Sequence, residues 1–144
     1  MHGAKVKEVI EGFGHENVQA THHATIEFTK DDELSLNGDC ILVVCIDRGL
    51  ADLSHDFKSA LKRPKSKLTV LIEAGEVYDE IHAIGSPYLV FTHRMEMVLR
   101  KSGFVSDRTL AVHADKAAKD ISRELVEKLK NPRQRAKITL TVKV

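Results

Sequence analysis

An internal repeat limits the architecture of this chain more than any other feature of its sequence. When residues 41–64 are aligned with residues 109–132, eight of the 24 positions are identical. Average residue usage gives roughly one or two identities by chance over such a stretch. Several of the mismatches are conservative, for example Asp56 with Glu124. A shared origin of the two stretches is therefore the better explanation.

The repeat extends toward the N-terminus with an offset of 71 instead of 68, as in Gly14 with Gly85. The units then cover about residues 4–75 and 76–144. A solenoid needs three or more repeats, so two units favour another arrangement. We expect a single domain, residues 1–144, in which each unit covers the apolar face of the other about a pseudo-two-fold axis.

Hydrophobic patterns predict the order β-β-β-α-β in each unit. Ser54 and Ser122 are good N-caps for the two helices, which end before Pro64 and Pro132. The predicted strands cover residues 6–13, 21–29, 40–46, 67–73, 77–85, 89–100, 108–114 and 137–144. The unbroken apolar run at 40–46 favours a central strand that is buried on both faces. In the last strand, the pattern points Ile138, Leu140, Val142 and Val144 inward.

The fold class that follows is mainly β with two short helices. We expect a β-sandwich or jelly-roll-like arrangement, or a closed barrel, built from the duplicated unit. A doubly wound parallel sheet does not fit, because strands and helices do not alternate one for one.

Composition agrees with an ordinary globular domain, with 42% hydrophobic and 30% charged residues. The N-terminus lacks the apolar core of a signal peptide, and the longest apolar run, residues 41–46, is too short for a membrane span. Cys40 and Cys45 are five residues apart, about 16 Å along a strand and beyond disulfide reach. We expect a cytoplasmic protein that does not contact membranes.

Two strings in the second unit are distinctive, "GSPYLVFTHRMEMVLRKS" and "RTLAVHADKAAKDI". With "ATHHATIEFTKDDELSLNGDCILVV" of the first unit, they make the chain resemble a family of small archaeal proteins classed as a domain of unknown function. The resemblance implies an archaeal source and a compact, mainly β fold of the sandwich or jelly-roll kind. It implies no established activity, so no catalytic role transfers to any residue.

Two histidines at matched positions are the first candidates for chemistry. His22 and His93 are predicted to lie in strands and to point inward, with Thr21 and Thr92 beside them. Near a pseudo-two-fold axis they would form a paired acid/base or ligand-binding element. The alternative is a pair of core histidines whose hydrogen bonds are satisfied locally.

Asp47 and Asp115 are also matched, each after an apolar strand, and Lys116 follows the second. They are candidates for a catalytic or ligand-binding cluster, or else for turn and helix-entry residues. The eight histidines lack the spacing of metal ligands, and no phosphate-binding glycine motif is present. We expect neither a metal nor another cofactor.

Basic residues form two further candidate sites. Arg100, Lys101 and Arg108 are predicted to form an anion pocket with Lys30, or else a solvated turn. The loops after the two helices carry nine basic and no acidic residues, which leaves 13 basic against 21 acidic residues elsewhere. Their residues are Lys62, Arg63, Lys65, Lys67, Lys128, Lys130, Arg133, Arg135 and Lys137.

Three functions remain open from the sequence. The preferred one is a binding domain for a polyanion or phosphorylated ligand, including nucleic acid, through the paired basic loops. The second is a hydrolase or nuclease that uses His22, His93, Asp47 and Asp115 between the two units. The third is a non-catalytic scaffold subunit. The sequence does not indicate an oligomeric state.

Overall fold

Eight strands and two α-helices make up residues 5–143, the part of the chain that this computed structural model describes. The strands are β1 (Lys5–Phe13), β2 (Thr25–Thr29), β3 (Ile41–Val43), β4 (Lys67–Ala74), β5 (Val77–Ile84), β6 (Glu96–Arg100), β7 (Thr109–Ala111) and β8 (Arg135–Lys143). The helices are α1 (His55–Leu61) and α2 (Arg123–Leu129), preceded by the 3-10 turns Leu50–Asp52 and Ala118–Asp120. Neither α-helix of the described chain has the length and apolar composition needed to cross a membrane.

The strands form two four-stranded sheets. Sheet A has the order β1-β8-β4-β5 and is antiparallel throughout. Sheet B has the order β3-β2-β6-β7, with an antiparallel central pair and a parallel strand at each edge. The prediction of a mainly β chain with two helices is therefore confirmed. The closed-barrel alternative is wrong for residues 5–143, because only single bridges, Phe13 with Val44 and Ile84 with Val112, connect the edges of the two sheets.

Apolar and polar residues alternate along the longer strands, so that one set of side chains points into the core. In β8, Ile138, Leu140 and Val142 are fully buried, as the pattern predicts, while Val144 lies outside the described residues. This inner face of sheet A packs with α1, α2 and the apolar side of sheet B, which contributes Phe28 and Met97. The opposite face of sheet A carries most of the polar and charged residues of its strands, although Glu8 and Asp79 point to the inner side, and it is uncovered in the described chain.

Both predicted N-caps are confirmed. The Ser54 hydroxyl accepts a hydrogen bond from the Phe57 amide at 3.1 Å, and the Ser122 hydroxyl accepts one from the Leu125 amide at 3.3 Å. Each cap satisfies one of the amides that a helix start leaves without an intrahelical partner. The helices end before Pro64 and Pro132, as expected.

Glycine at position 85 allows the chain to pass the end of α1 at close range. A Cβ atom on Gly85 would lie 1.8 Å from the Leu61 carbonyl oxygen, so no other residue fits without movement. The next amide, that of Ser86, donates a hydrogen bond to this carbonyl at 3.1 Å. The end of α1 is thus satisfied by the strand of the other half of the chain.

Four strands are shorter than the patterns predict, and one of them is β7, which covers only Thr109–Ala111 of the predicted 108–114. β2 begins at Thr25 and β6 at Glu96, because the residues before them form hydrogen-bonded turns. The apolar run at 40–46 is buried in large part, but only Ile41–Val43 is a strand, and it lies at an edge of sheet B instead of the centre. Cys45 adopts a left-handed backbone conformation with φ of 54°, which ends the extended segment.

Candidate functional site

A row of three lysines crosses the outer face of sheet A. Lys143 of β8 lies directly opposite Lys5 of β1 on one side and Lys67 of β4 on the other. All three are exposed, and none has a carboxylate within 4.0 Å among the ion pairs of residues 5–143. We call Lys5, Lys143 and Lys67 the lysine row. Like charges directly opposite each other on neighbouring strands destabilise a sheet, so this arrangement has a cost in stability.

More positive charge surrounds the lysine row. Lys7, the next outward residue of β1, lies opposite Thr141. The first basic loop, with Lys62, Arg63 and Lys65, leads directly into Lys67, and these three side chains are exposed. Basic residues are therefore concentrated at this end of sheet A, with Glu80 beside Lys5 and Lys7 and with Arg63 next to Val6 and Asp56 at α1.

Two surface cavities open on the same face. One of about 310 Å³ is bounded by three threonines, Thr69, Thr139 and Thr141, together with Lys5, Lys7, Leu71 and Glu80. The other, of about 280 Å³, lies at the β5 end of the lysine row and is bounded by Lys67, Leu68, His82, Ala83, Ile84 and His113. Hydroxyl, ammonium and imidazole groups of this kind are donors for phosphate and sugar oxygens.

The second basic loop lies at the opposite end of sheet A. Since β4 and β8 are antiparallel, the starts of these strands are separated by the length of β8, about 27 Å. At that end Arg135 is 3.7 Å from Glu11, and Lys137 lies opposite both Glu11 and Glu73. Lys130 is 3.9 Å from Glu127. The two basic loops are not equivalent, because acidic neighbours partly neutralise the second one.

A separate polar cluster covers the outer face of sheet B. Glu27, Glu96 and Arg108 lie together, with the Arg108 guanidinium 2.7 Å from the Glu96 carboxylate and 3.7 Å from Glu27. Arg100 donates hydrogen bonds to the Thr109 hydroxyl at 2.8 Å and the Ser106 hydroxyl at 3.0 Å. The Cys40 thiol points at Glu27, at 3.8 Å.

Burial changes the protonation of this cluster. Burial of the carboxyl group and the adjacent Glu96 charge raise the pKa of Glu27 from 4.5 to about 7, although Arg108 opposes the change. Burial, together with the Glu27 charge, raises the pKa of the Cys40 thiol to about 11, so it is a thiol and not a nucleophilic thiolate. Burial and the neighbouring Arg108 cation lower the pKa of Arg100.

The side chains of the polar cluster are paired with one another, and Arg108 is 43% exposed. Five surface cavities of residues 5–143 are bounded by other residues and not by Glu27, Glu96 or Arg100. Carboxyl groups with a raised pKa occur in active sites, but they also occur in structural networks. The ion pairs and hydrogen bonds within the cluster link β2, β6 and the residues beside β7, which is a structural contribution to sheet B.

The predicted anion pocket is divided between several places. Arg100 and Arg108 do come together in the polar cluster. Lys30 instead lies 2.9 Å from Asp52, and Lys101 lies 3.6 Å from Asp120. The four residues therefore do not form one pocket, because the two lysines are held by the carboxylates that also cap the 3-10 turns.

The structure places the two matched histidines in turns, and the prediction that they point inward from strands is wrong. The His22 Nδ1 atom accepts a hydrogen bond from the Thr25 amide at 3.1 Å, and the His93 Nδ1 atom accepts one from the Glu96 amide at 3.0 Å. These side-chain to backbone bonds end the strands before the histidines. Because β2 and β6 are antiparallel, the residues lie at opposite ends of a ladder about 13 Å long.

The flanking threonines and the aspartates are also apart from one another. Thr21 and Thr92 are exposed loop residues. The Asp47 carboxylate accepts a hydrogen bond from the Glu11 amide at 3.0 Å, and the Asp115 carboxylate accepts one from the His82 amide at 2.9 Å. Each aspartate thus continues a strand pairing at the edge of sheet A. The hydrolase hypothesis stays a prediction, with residues that the fold does not bring together.

Lys116 has a defined structural contact. Its ammonium group lies 2.6 Å from the Asp79 carboxylate, whose other oxygen accepts a hydrogen bond from the Ser122 amide at 2.8 Å. The Lys116 contact and the Ser122 amide lower the pKa of Asp79, against the effect of burial. The described residues contain no group of three or more His, Cys, Asp or Glu side chains arranged to hold a metal ion.

Sequence patterns missed Lys5, Lys7 and Lys143 as site residues. Alternation in β1 and β8 does place these lysines on the outward face. The signal that joins them is the register between distant strands, which a single sequence does not reveal.

Two comparisons relate the chain to known proteins. The model of the family described as "Domain of unknown function (DUF371)" matches residues 10–143. An uncharacterized protein of Methanocaldococcus jannaschii is 42% identical over 126 residues, which cover 88% of this chain and 93% of that protein. The archaeal resemblance noted in the sequence is thereby confirmed.

Proposed function

Since the chain belongs to this family of unknown function, its role has to be inferred from its own surface, and we propose that it binds single-stranded nucleic acid on the outer face of sheet A. The lysine row carries the proposal. Three opposed lysines reduce the stability of a sheet, and a bound polyanion would offset that cost. The proposal keeps the first basic loop as part of the surface and assigns the second loop a smaller role.

The dimensions of the outer face of sheet A favour the binding of a single nucleic acid strand. The lysine row spans two strand spacings, about 10 Å, which matches a few phosphates of an extended chain. The face is formed by four antiparallel strands, and among the described residues no α-helix lies within this sheet to enter a duplex groove. Tyr78, 65% exposed on the same face, lies opposite Glu73 at the end away from the lysine row and is not part of the proposed surface.

The donors on this face contact phosphate and sugar and do not select bases. Lysine binds phosphate as a point charge, and threonine hydroxyls add hydrogen bonds. We therefore expect affinity with little sequence preference and a strong dependence on salt. A protein that neutralises about three phosphates of a single strand gives a slope of log K against log salt near −2.

Fluorescence anisotropy with a labelled 12-nucleotide single strand tests the proposal. Lys143→Glu, in the centre of the lysine row, should weaken binding by about tenfold or more at low salt. Lys128→Glu makes the same charge change on the exposed face of α2 and should weaken binding by about twofold at most. Equal losses in the two variants, or no binding by the unmodified protein, would refute the proposal. Preference for a duplex would refute the single-strand assignment.

We also propose that the chain is one internally duplicated domain with pseudo-two-fold symmetry, with units of about residues 4–75 and 76–144. Matched contacts support this idea. The Ser54 amide donates to Glu8 as the Ser122 amide donates to Asp79. The strand orders of both sheets also read the same when the units are exchanged. Superposition of the two units in an experimental structure, with matching elements aligned, is the test.

A further inference from the structure

The cavity at the β5 end of the lysine row carries a second inference, which rests on the proposed function. It has a volume of about 280 Å³, close to the lower limit of roughly 300 Å³ for small-molecule pockets. Its polar side chains are Lys67, His82 and His113, and its lining contains no carboxylate among the described residues. Leu68, Ala83 and Ile84 form its apolar wall.

The cavity lies in line with the lysine row. In the same register as the lysine row, Lys67 of β4 lies opposite Ile84 of the edge strand β5. Ile84 is bridged to Val112, the residue before His113. A strand of nucleic acid that crosses Lys5, Lys143 and Lys67 in turn would therefore reach this cavity at the edge of the sheet.

His113 is held at the cavity by an uncommon backbone conformation. Its φ is 51°, in the left-handed region that residues other than glycine seldom adopt. Gly103 packs against its ring, since a Cβ atom there would lie 3.0 Å from the His113 Nε2 atom. Cys45, at the matched position of the first unit, has nearly the same φ of 54°, so the conformation belongs to the backbone of the fold and positions the His113 ring at the cavity.

We propose that this cavity binds the terminal phosphate monoester of a nucleic acid strand that lies along the lysine row. A monoester carries about −1.5 to −2 charges at pH 7, more than the single charge of an internal phosphate. Lys67 supplies a positive charge and His82 and His113 supply ring nitrogens as hydrogen-bond partners, while the Glu80 carboxylate lies 3.6 Å from the His82 Nε2 atom just outside the lining. The apolar wall would face the terminal sugar.

The test compares single strands of equal sequence that end in a 5′-phosphate, a 3′-phosphate or hydroxyl groups only. One phosphorylated end should bind about tenfold tighter than the hydroxyl end, the effect of one added charge-assisted hydrogen bond. The combined variant His82→Gln and His113→Asn should lose this preference and keep its affinity for the hydroxyl-ended strand. Asparagine tolerates the left-handed backbone at position 113, so the fold is expected to survive.

The controls separate the two proposals. His23→Gln with His55→Gln, two exposed histidines away from the cavity, should keep the preference. Lys143→Glu should weaken all three strands by a similar factor. Equal binding of the three strands to the unmodified protein overturns the cavity assignment alone, as does a preference that survives the double variant. A free nucleoside monophosphate that binds as tightly as the strand would overturn the strand-end assignment, and failure of every strand to bind would overturn both proposals.

Discussion

Replacement of Glu27 by glutamine should remove most of the dependence of stability on pH between about 4.5 and 7. The Glu27 side chain is 7% exposed, and its burial and the Glu96 charge raise its pKa to about 7. The folded state therefore holds a proton that the unfolded chain releases above about 4.5. The stabilising contribution is fully present below that pH and is lost as the pH rises through about 7.

A Glu27 pKa that rises from 4.5 to about 7 on folding corresponds to a loss on the order of 3 kcal/mol in the free energy of unfolding as the pH rises. Urea unfolding followed by circular dichroism at pH 5, 6, 7 and 8 measures this loss. Glutamine keeps the shape of the side chain and does not ionise. The free energy of unfolding of the variant should therefore change much less between pH 5 and 8 than that of the native protein. Glu16→Gln, at an exposed loop position, serves as the matched control.

Four other carboxyl groups change the free energy of unfolding in a lower pH range. Contacts lower the pKa of Glu8, Asp52, Asp79 and Asp120, so their contributions are lost only as the pH falls below their ordinary values of 3.8 to 4.5. Parallel curves for the native protein and Glu27→Gln from pH 5 to 8 would show that Glu27 is ionised in the folded state. The account of the polar cluster would then be wrong.

Two further predictions concern the fold and the lysine row. Gly85→Ala should lower the free energy of unfolding by about 2 kcal/mol or more in urea titrations, because its Cβ meets the Leu61 carbonyl, whereas Gly75→Asn, at a turn with open space and φ of 65°, should be nearly neutral. Lys143→Gln should raise the free energy of unfolding by a few tenths of a kcal/mol at low salt and have little effect at 1 M salt, since it relieves repulsion with Lys5 and Lys67. An unchanged gain at high salt would refute repulsion as the cause.

Local sequence patterns predicted which helices and strands form better than they predicted where the strands begin and what they pack against. Ser54 and Ser122 were identifiable as caps because capping depends on residues within one turn. The starts of β2 and β6 were predicted too early, since a histidine that accepts backbone hydrogen bonds has no signature in hydrophobic alternation. Because of these errors, the prediction placed His22 and His93 in the core, whereas both residues lie in turns.

The proposed binding surface and the polar cluster were harder to predict because they depend on contacts between distant segments. Alternation assigns Glu27 to the polar side of β2, but it does not show that the loops of sheet B bury that side. Likewise, Lys5 and Lys143 come together only through the β1 and β8 register. Charge totals identified the basic loops, yet not which loop has acidic neighbours.

The contrast between the two ends of sheet A explains how related halves would differ in function. Under the proposed duplication, Lys7 corresponds to Tyr78, so one half supplies an ammonium group where the other supplies a ring. Glu11 and Glu73 reduce the positive charge beside Lys137, while Lys143 lies between two lysines. If the two proposals hold, a symmetric fold with an asymmetric surface would bind a nucleic acid strand in one direction. This direction is what the strands with 5′- and 3′-phosphates are designed to detect.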